Sequence, residues 1–234
     1  MLVAKRIIKG LLYKIGIHRF IPYKTFHFLA NLGFASAWIA QKGKLEFDDF
    51  FTKDIDTNKR YGLYDFIIKK EKLQAIDYLE FGVSKGLSFR KWVEMNQDAN
   101  STFHGFDTFT GLPEAWGHFP IGAMSNGNEP PKIDDSRVHF YQGLFQQTLI
   151  PFLNSFKGQN RKVIHLDADI YSATLYVLTL ITPFLKSGDI LLFDEFNVPL
   201  HEYKAFKEWT ESFYIEYEVL GAVNNYFQVA IKIK

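Results

Sequence analysis

From residue 75 onward, short apolar runs alternate with stretches of helical spacing. The runs cover 75–81, 102–106, 138–141, 162–166 and 189–193, and the helical stretches cover 87–95, 148–156, 173–185 and 202–213. This constrains the fold more than any other feature. Parallel strands cannot be joined by a tight turn and need a crossover, usually a helix, so the alternation predicts a doubly wound, mostly parallel α/β sheet. Two last runs, 217–222 and 226–233, flank Asn224-Asn225 and predict an antiparallel C-terminal hairpin. Sheets of this kind bind ligands beyond the carboxyl ends of their strands, so the residues there are the ones to read.

The first run ends as Glu80-Phe-Gly82-Val-Ser84-Lys-Gly86-Leu-Ser88. Glycines let the backbone turn sharply, and the helix start that follows offers free N–H groups. An acid opening such a turn would repel a pyrophosphate but suits a zwitterion or a sulfonium. The second run ends at Asp107, 25 residues after Gly82. That is about the offset at which a nucleoside-binding α/β fold holds a ribose. A plain strand-to-helix turn and a capping aspartate are the bland alternatives for each feature alone.

Carboxylates then accumulate. Asp167-Ala-Asp169 closes the fourth run and Asp194-Glu195 closes the fifth. Side chains two apart on a strand point the same way, so Asp167 and Asp169 project together. If the two strands are neighbours, four carboxylates converge, and like charges so close cannot all stay ionised unless a cation is bound or some protonate; surface acids capping helices are the bland alternative. Oxygen donors favour Mg²⁺, Ca²⁺ or Mn²⁺ over Zn²⁺. With no cysteine in the chain, thiolate chemistry and disulfides are excluded. His104 and His165 lie inside runs and read as core groups, whereas His118 and His201 lie in loops beside the site, placed to meet a substrate.

The net charge of +1 hides a split. Residues 1–45 hold eight basic residues and no acid, leaving nineteen basic against 26 acidic residues in the remainder, a net of −7. The total gives no reason to expect nucleic acid as a partner. Residues 3–15 carry Val3, Ile7, Ile8, Leu11, Leu12 and Ile15 at helical spacing with Lys5, Arg6 and Lys9 on the other side, and aromatic-rich helical sequence continues to about residue 40. The acidic stretch 44–59 reads as a linker or a short turn of helix. No segment reaches the ~20 apolar residues that span a bilayer. Ala35-Ser36-Ala37 imitates a signal-peptidase site, but the basic region before it is too long for a usual leader, so a cytoplasmic location is expected. The basic face fits an anionic membrane, and equally an arm packed on the body or on a second subunit in a homodimer.

Together, YLEFGVSKGLSFRKW (78–92), FHGFDTFTGLPEAW (103–116), YQGLFQQTLIPFL (141–153), HLDADIYSATLYVL (165–178) and ILLFDEF (190–196) resemble the macrocin O-methyltransferase family over roughly residues 57–234. The resemblance implies a Rossmann-like class I fold at 57–234, with 1–56 as a basic helical N-terminal extension. It further implies an S-adenosylmethionine- and Mg²⁺-dependent O-methyltransferase acting on a hydroxyl of a sugar or glycosylated small molecule. Glu80, Gly82, Ser84, Gly86 and Ser88 fall on its cofactor turn, Asp107 on the ribose acid, and Gln142-Gly143 where adenine sits. Asp167, Asp194 and Glu195 fall on its metal-ligand positions and Asp169 on its general base. Where the family has two adjacent aspartates, this chain has Asp194-Glu195, which reaches one methylene farther. The segment 111–135, with Pro113, Pro120, Pro130 and Pro131, is then the candidate lid, with Trp116 and His118 facing the acceptor. The alternatives are a catechol-type O-methyltransferase, or a non-catalytic module of the same fold that binds metal or nucleoside.

Overall fold

The structure is a computed structural model and describes residues 2–234. Eight strands form one sheet: β1 (Phe47–Asp48), β2 (Ile76–Phe81), β3 (Thr102–Asp107), β4 (Val138–Gln142), β5 (Arg161–Leu166), β6 (Ile190–Phe193), β7 (Tyr217–Val223) and β8 (Gln228–Ile233). Their spatial order is β1-β7-β8-β6-β5-β2-β3-β4. The block β6-β5-β2-β3-β4 is parallel, and β8 runs antiparallel to both β6 and β7. The doubly wound, mostly parallel sheet and its C-terminal hairpin are therefore as the alternation required. β2, β5 and β6 are almost wholly buried because helices cover both faces, which is why they read as continuous apolar runs rather than alternating ones.

Among the described residues the α-helices are α1 (Leu2–Lys14), α2 (Tyr23–Lys42), α3 (Lys59–Lys70), α4 (Leu87–Met95), α5 (Phe145–Ser155), α6 (Tyr171–Ile181) and α7 (Glu202–Ser212). α3 and α4 pack on one face through Leu63, Tyr64, Ile67, Phe89 and Trp92. α5, α6 and α7 pack on the other through Leu149, Phe152, Val177, Leu178, Phe206 and Trp209. The N-terminal helices divide in behaviour. Trp38 of α2 is buried among Phe196, Tyr203, Phe206 and Tyr226, and its indole N–H donates to the Tyr217 hydroxyl at 2.7 Å. Every described side chain from Val3 to Ile15, in contrast, is exposed.

The acidic stretch expected to be a linker or a short turn of helix instead contributes an edge strand. Phe47 and Asp48 pair in parallel with Gly221 and Ala222 of β7. Gly221 makes this close approach feasible, since a Cβ there would lie 3.0 Å from the Phe47 carbonyl and 2.8 Å from Leu63. Two residues carry no periodicity, so nothing in the sequence marks them as a strand.

Candidate active site

Register explains how residues distant in sequence meet. Tyr141, Phe106, Phe81, Leu166 and Phe193 form one row across the sheet, through the pairs Phe106–Tyr141, Phe81–Phe106, Phe81–Leu166 and Leu166–Phe193. The next row is therefore Gln142, Asp107, Gly82, Asp167 and Asp194, one residue from each parallel strand end. Backbone N–H groups of Gly82, Asp167 and Asp194 donate to the carbonyls of Phe106, Phe81 and Leu166 at 2.9, 3.0 and 3.1 Å, which locks the row. The order of winding reverses between β2 and β5, with β3 and β4 laid on one side of β2 and β5 and β6 on the other, so Gly82 and Asp167 stand at the topological switch point.

Gly82 cannot be another residue here. Its φ is +96°, and a Cβ would fall 1.8 Å from the Asp167 carbonyl oxygen. Asp107 then shapes the turn: Oδ2 accepts from the N–H groups of Val83 and Ser84 at 2.8 and 2.7 Å, and Oδ1 from Phe109 N–H at 2.7 Å. Gly86 opens α4 in the left-handed region, with φ +73°. Above this row lies a cavity of about 300 Å³, lined by Gly82, Ser84, Asp107, Asp167 and Asp169 and roofed by the loop after β3 through Leu112 and Met124.

Not every residue read from the sequence faces that space. Glu80 is fully buried, accepting from Ser88 Oγ at 2.6 Å and from the Tyr78 hydroxyl, with His165 Nδ1 3.6 Å away. Glu80 and Ser88 thus brace the turn from beneath. Gln142 donates to Asn128 Oδ1 at 2.9 Å, tying the loop to β4, and Gly143 follows it with its N–H on the Asp107 carbonyl at 2.9 Å. Trp116 stacks on Phe119 and packs against Ala168, Ile170 and Ala173, beside the acids. His118 is exposed and tilted against Phe119. His201 precedes α7, its ring edge-on to Trp116 at 6.4 Å. His104 is a core group, bonded to Thr102 Oγ1 and the Tyr141 hydroxyl, and burial with His139 nearby depresses its pKa to about 4.

The carboxylates do converge. Single oxygens of Asp167, Asp169 and Glu195 lie within 4.8 Å of one another, as do donor atoms of His165, Asp167 and Asp194. Burial, reinforced by Asp194 and Asp107, raises the Asp169 pKa to about 7, and Asp169 holds a left-handed backbone with φ +58°. Asp167 and Glu195 are also pushed well above the ordinary range, by burial first and by neighbouring acids second.

Two members of the cluster escaped the sequence reading. Glu202, at the first turn of α7, is fully buried, and its Oε2 accepts from Glu195 N–H at 3.0 Å. Arg60 of α3 donates to Asp194 Oδ2 at 3.0 Å. Neither sits at a strand end, and each reaches the site only through a helix packed on the sheet. Asp194 Oδ1, Glu195 Oε2 and Glu202 Oε1 are buried without a hydrogen-bond partner. Buried carboxylate oxygens left unpaired, on residues of two ligand groups that share Asp167 and on Glu202 beside them, fit a hard divalent cation.

Residues 79–196 match the family described as Methyltransferase domain, and the chain belongs to that family. It is an enzyme of methyl transfer. A search of curated proteins finds no match. Among solved structures, the calicheamicin methyltransferase CalS11 is similar at a TM-score of 0.58 and 19% identity, over 76% of this chain and 78% of that one. The O-methyltransferase NovP is similar at 0.55 and 18%, over 75% and 78%. Apo CalS11, described as a TDP-rhamnose 3'-O-methyltransferase, is similar at 0.51 and 16%, over 91% and 95%. At such identities these likenesses speak for the fold.

Proposed function

We propose that this chain is an S-adenosylmethionine-dependent O-methyltransferase of the macrocin O-methyltransferase type, acting on a hydroxyl of a sugar or glycosylated small molecule with a divalent cation such as Mg²⁺. Residues 57–234 are the methyl-transfer unit, and residues 1–56 are a basic extension held to it through Trp38. One observation carries the reading: a glycine turn, the aspartate that holds that turn, and Asp167 and Asp169 line one cavity, and the same two aspartates belong to a cluster of buried carboxylates behind it. The sugar preference draws on the sequence resemblance and on the rhamnose named for CalS11.

In this reading Asp107 and the Gly82–Gly86 turn hold the nucleoside, with Glu80 and Ser88 fixing the turn from below. Gln142 and Gly143 border the adenine. Asp167, Asp194 and Glu195 would hold the cation, which when bound would lower the pKa of the acceptor hydroxyl. Asp169, at the cavity wall with its pKa near neutrality, accepts the hydroxyl proton on Oδ. Because the sulfonium methyl is already activated, the protein's remaining tasks are alignment and exclusion of water. The loop through Trp116 and His118 covers the acceptor.

The test is transfer of labelled methyl from S-adenosylmethionine to nucleotide sugars, glycosides and a catechol, each with Mg²⁺ and with chelator. Label in a sugar hydroxyl, lost on chelation, is expected. Label in the catechol alone would favour the phenolic reading, and no label anywhere would sink both.

A further inference from the structure

The acid-lined edge gives no reason for residues 2–44 to look as they do. On α1, at about 100° per residue, Val3, Ile7, Ile8, Leu11 and Leu12 occupy one half of the circumference and Lys5, Arg6 and Lys9 the other; Lys14, the last residue, falls on the apolar half, and Ile15 follows the helix. None of these apolar side chains is covered by the body; Ile7 and Leu11 are 67% and 57% exposed. α2 turns Asn31, Ala35 and Trp38 inward, and on its far side Phe26, Leu29 and Leu32 stand exposed. No charged residue lies between Thr25 and Gln41. The cations Lys5, Arg6, Lys9, Lys14, Arg19 and Lys24 make no ion pair among the described residues.

We propose that α1 and the outer face of α2 dock on an anionic phospholipid bilayer, apolar side chains among the acyl chains and Lys and Arg among the headgroup phosphates. A basic polar face opposite an apolar one is the arrangement that lies in a membrane interface. No helix among the described residues is long and apolar enough to cross a membrane, so the contact is peripheral. Charge decides between a lipid surface and a second copy of the chain. Of the body's 26 acids, Asp77, Glu80, Asp169, Asp189, Asp194, Glu195 and Glu202 are buried, as is Lys162, which leaves nineteen acids against eighteen basic residues outside the core and almost no acid excess to draw a neighbour's lysines. A phosphate surface supplies the concentrated negative charge that this nearly balanced surface does not. This surface is independent of the methyl-transfer site and stands whether or not that reading does.

The experiment is co-sedimentation of the full chain with vesicles of equal parts phosphatidylglycerol and phosphatidylcholine, against phosphatidylcholine alone. Removing residues 1–45 would take Trp38 out of the core, so the variants are K5E/R6E/K9E and a chain lacking residues 2–20. Both leave the packed half of α2 intact, and unchanged circular dichroism checks this. Strong pelleting is expected only with the anionic vesicles. At about fivefold per cation, loss of the three positive charges alone weakens partitioning about 100-fold, so the triple variant, which also adds three acids, partitions at least about 100-fold more weakly. Equal pelleting on both vesicles, equal pelleting of wild type and triple variant, or a lipid-indifferent dimer that the shortened chain no longer forms would each overturn the proposal.

Discussion

The two edges of the same sheet treat buried charge in opposite ways. At the amino edge, Lys162 Nζ and Asp189 Oδ2 are 3.0 Å apart with both side chains buried. Glu71 is shared between Arg161 and Lys232 there, and buried Asp77 accepts from Thr102 and twice from Asn160. At the carboxyl edge, Asp167, Asp169, Asp194, Glu195 and Glu202 crowd together, and one guanidinium, Arg60, pairs with one of them. Burial costs are similar at the two ends, so burial alone does not explain the difference. Charge that a fold needs only for stability is paired within the fold. Charge left underpaired just behind a cavity wall is kept for something that arrives from outside.

Substitutions at the two edges should therefore separate activity from stability. The largest effect is expected from Asp169→Asn, which should lower kcat by about 10³ while S-adenosylhomocysteine affinity stays nearly constant; steady-state kinetics and calorimetry read the two quantities. A variant that kept its kcat would remove Asp169 from the chemistry. At the amino edge, Lys162→Met should cost about 3 kcal/mol in denaturant unfolding, because Asp189 is then buried without its cation. A loss below about 1 kcal/mol would mean that this pair is no more structural than the acids opposite.

The pH response should come from the carboxyl edge. Carboxyls in the unfolded chain titrate near pH 4, whereas Asp169 keeps its proton to about 7, and Asp167, Glu195 and Glu202 are shifted the same way. Between those limits the folded state binds more protons than the unfolded one. Metal-free protein should thus lose stability as pH rises from about 5 to about 7, and Mg²⁺ should restore it. Thermal melts in chelator that stay flat or climb over that window would contradict the crowding. The smallest effect is that of Glu195→Gln, which relieves one charge and should stabilise the metal-free protein by about 1 kcal/mol.

The carboxyl edge was largely legible in the sequence because a parallel sheet places consecutive strand ends side by side. Gly82, Asp107, Asp167 and Asp194 each close an apolar run, and the register turns four local signals into one row. Glu80 shows the limit. Its place in the turn was visible, but not that Tyr78, Ser88 and His165 hold it beneath the cavity floor, since the side of a buried strand that a residue faces has no periodic signal when both faces are apolar. Arg60 and Glu202 come from helices whose rotation is set by packing, so only the tertiary fold brings them to the acids. The edge strand at Phe47–Asp48 was hidden for another reason: two residues are too short to carry a pattern.

The central claim, that the row beginning at Gly82 and Asp107 is a nucleoside site for methyl transfer, is tested most directly by calorimetric titration of S-adenosylhomocysteine into wild type and Asp107→Ala. One site per chain is expected in wild type, weakened at least about tenfold in the variant, because Asp107 both holds the N–H groups of Val83 and Ser84 and lines the cavity. No heat with wild type, or equal affinity in the two proteins, would contradict it.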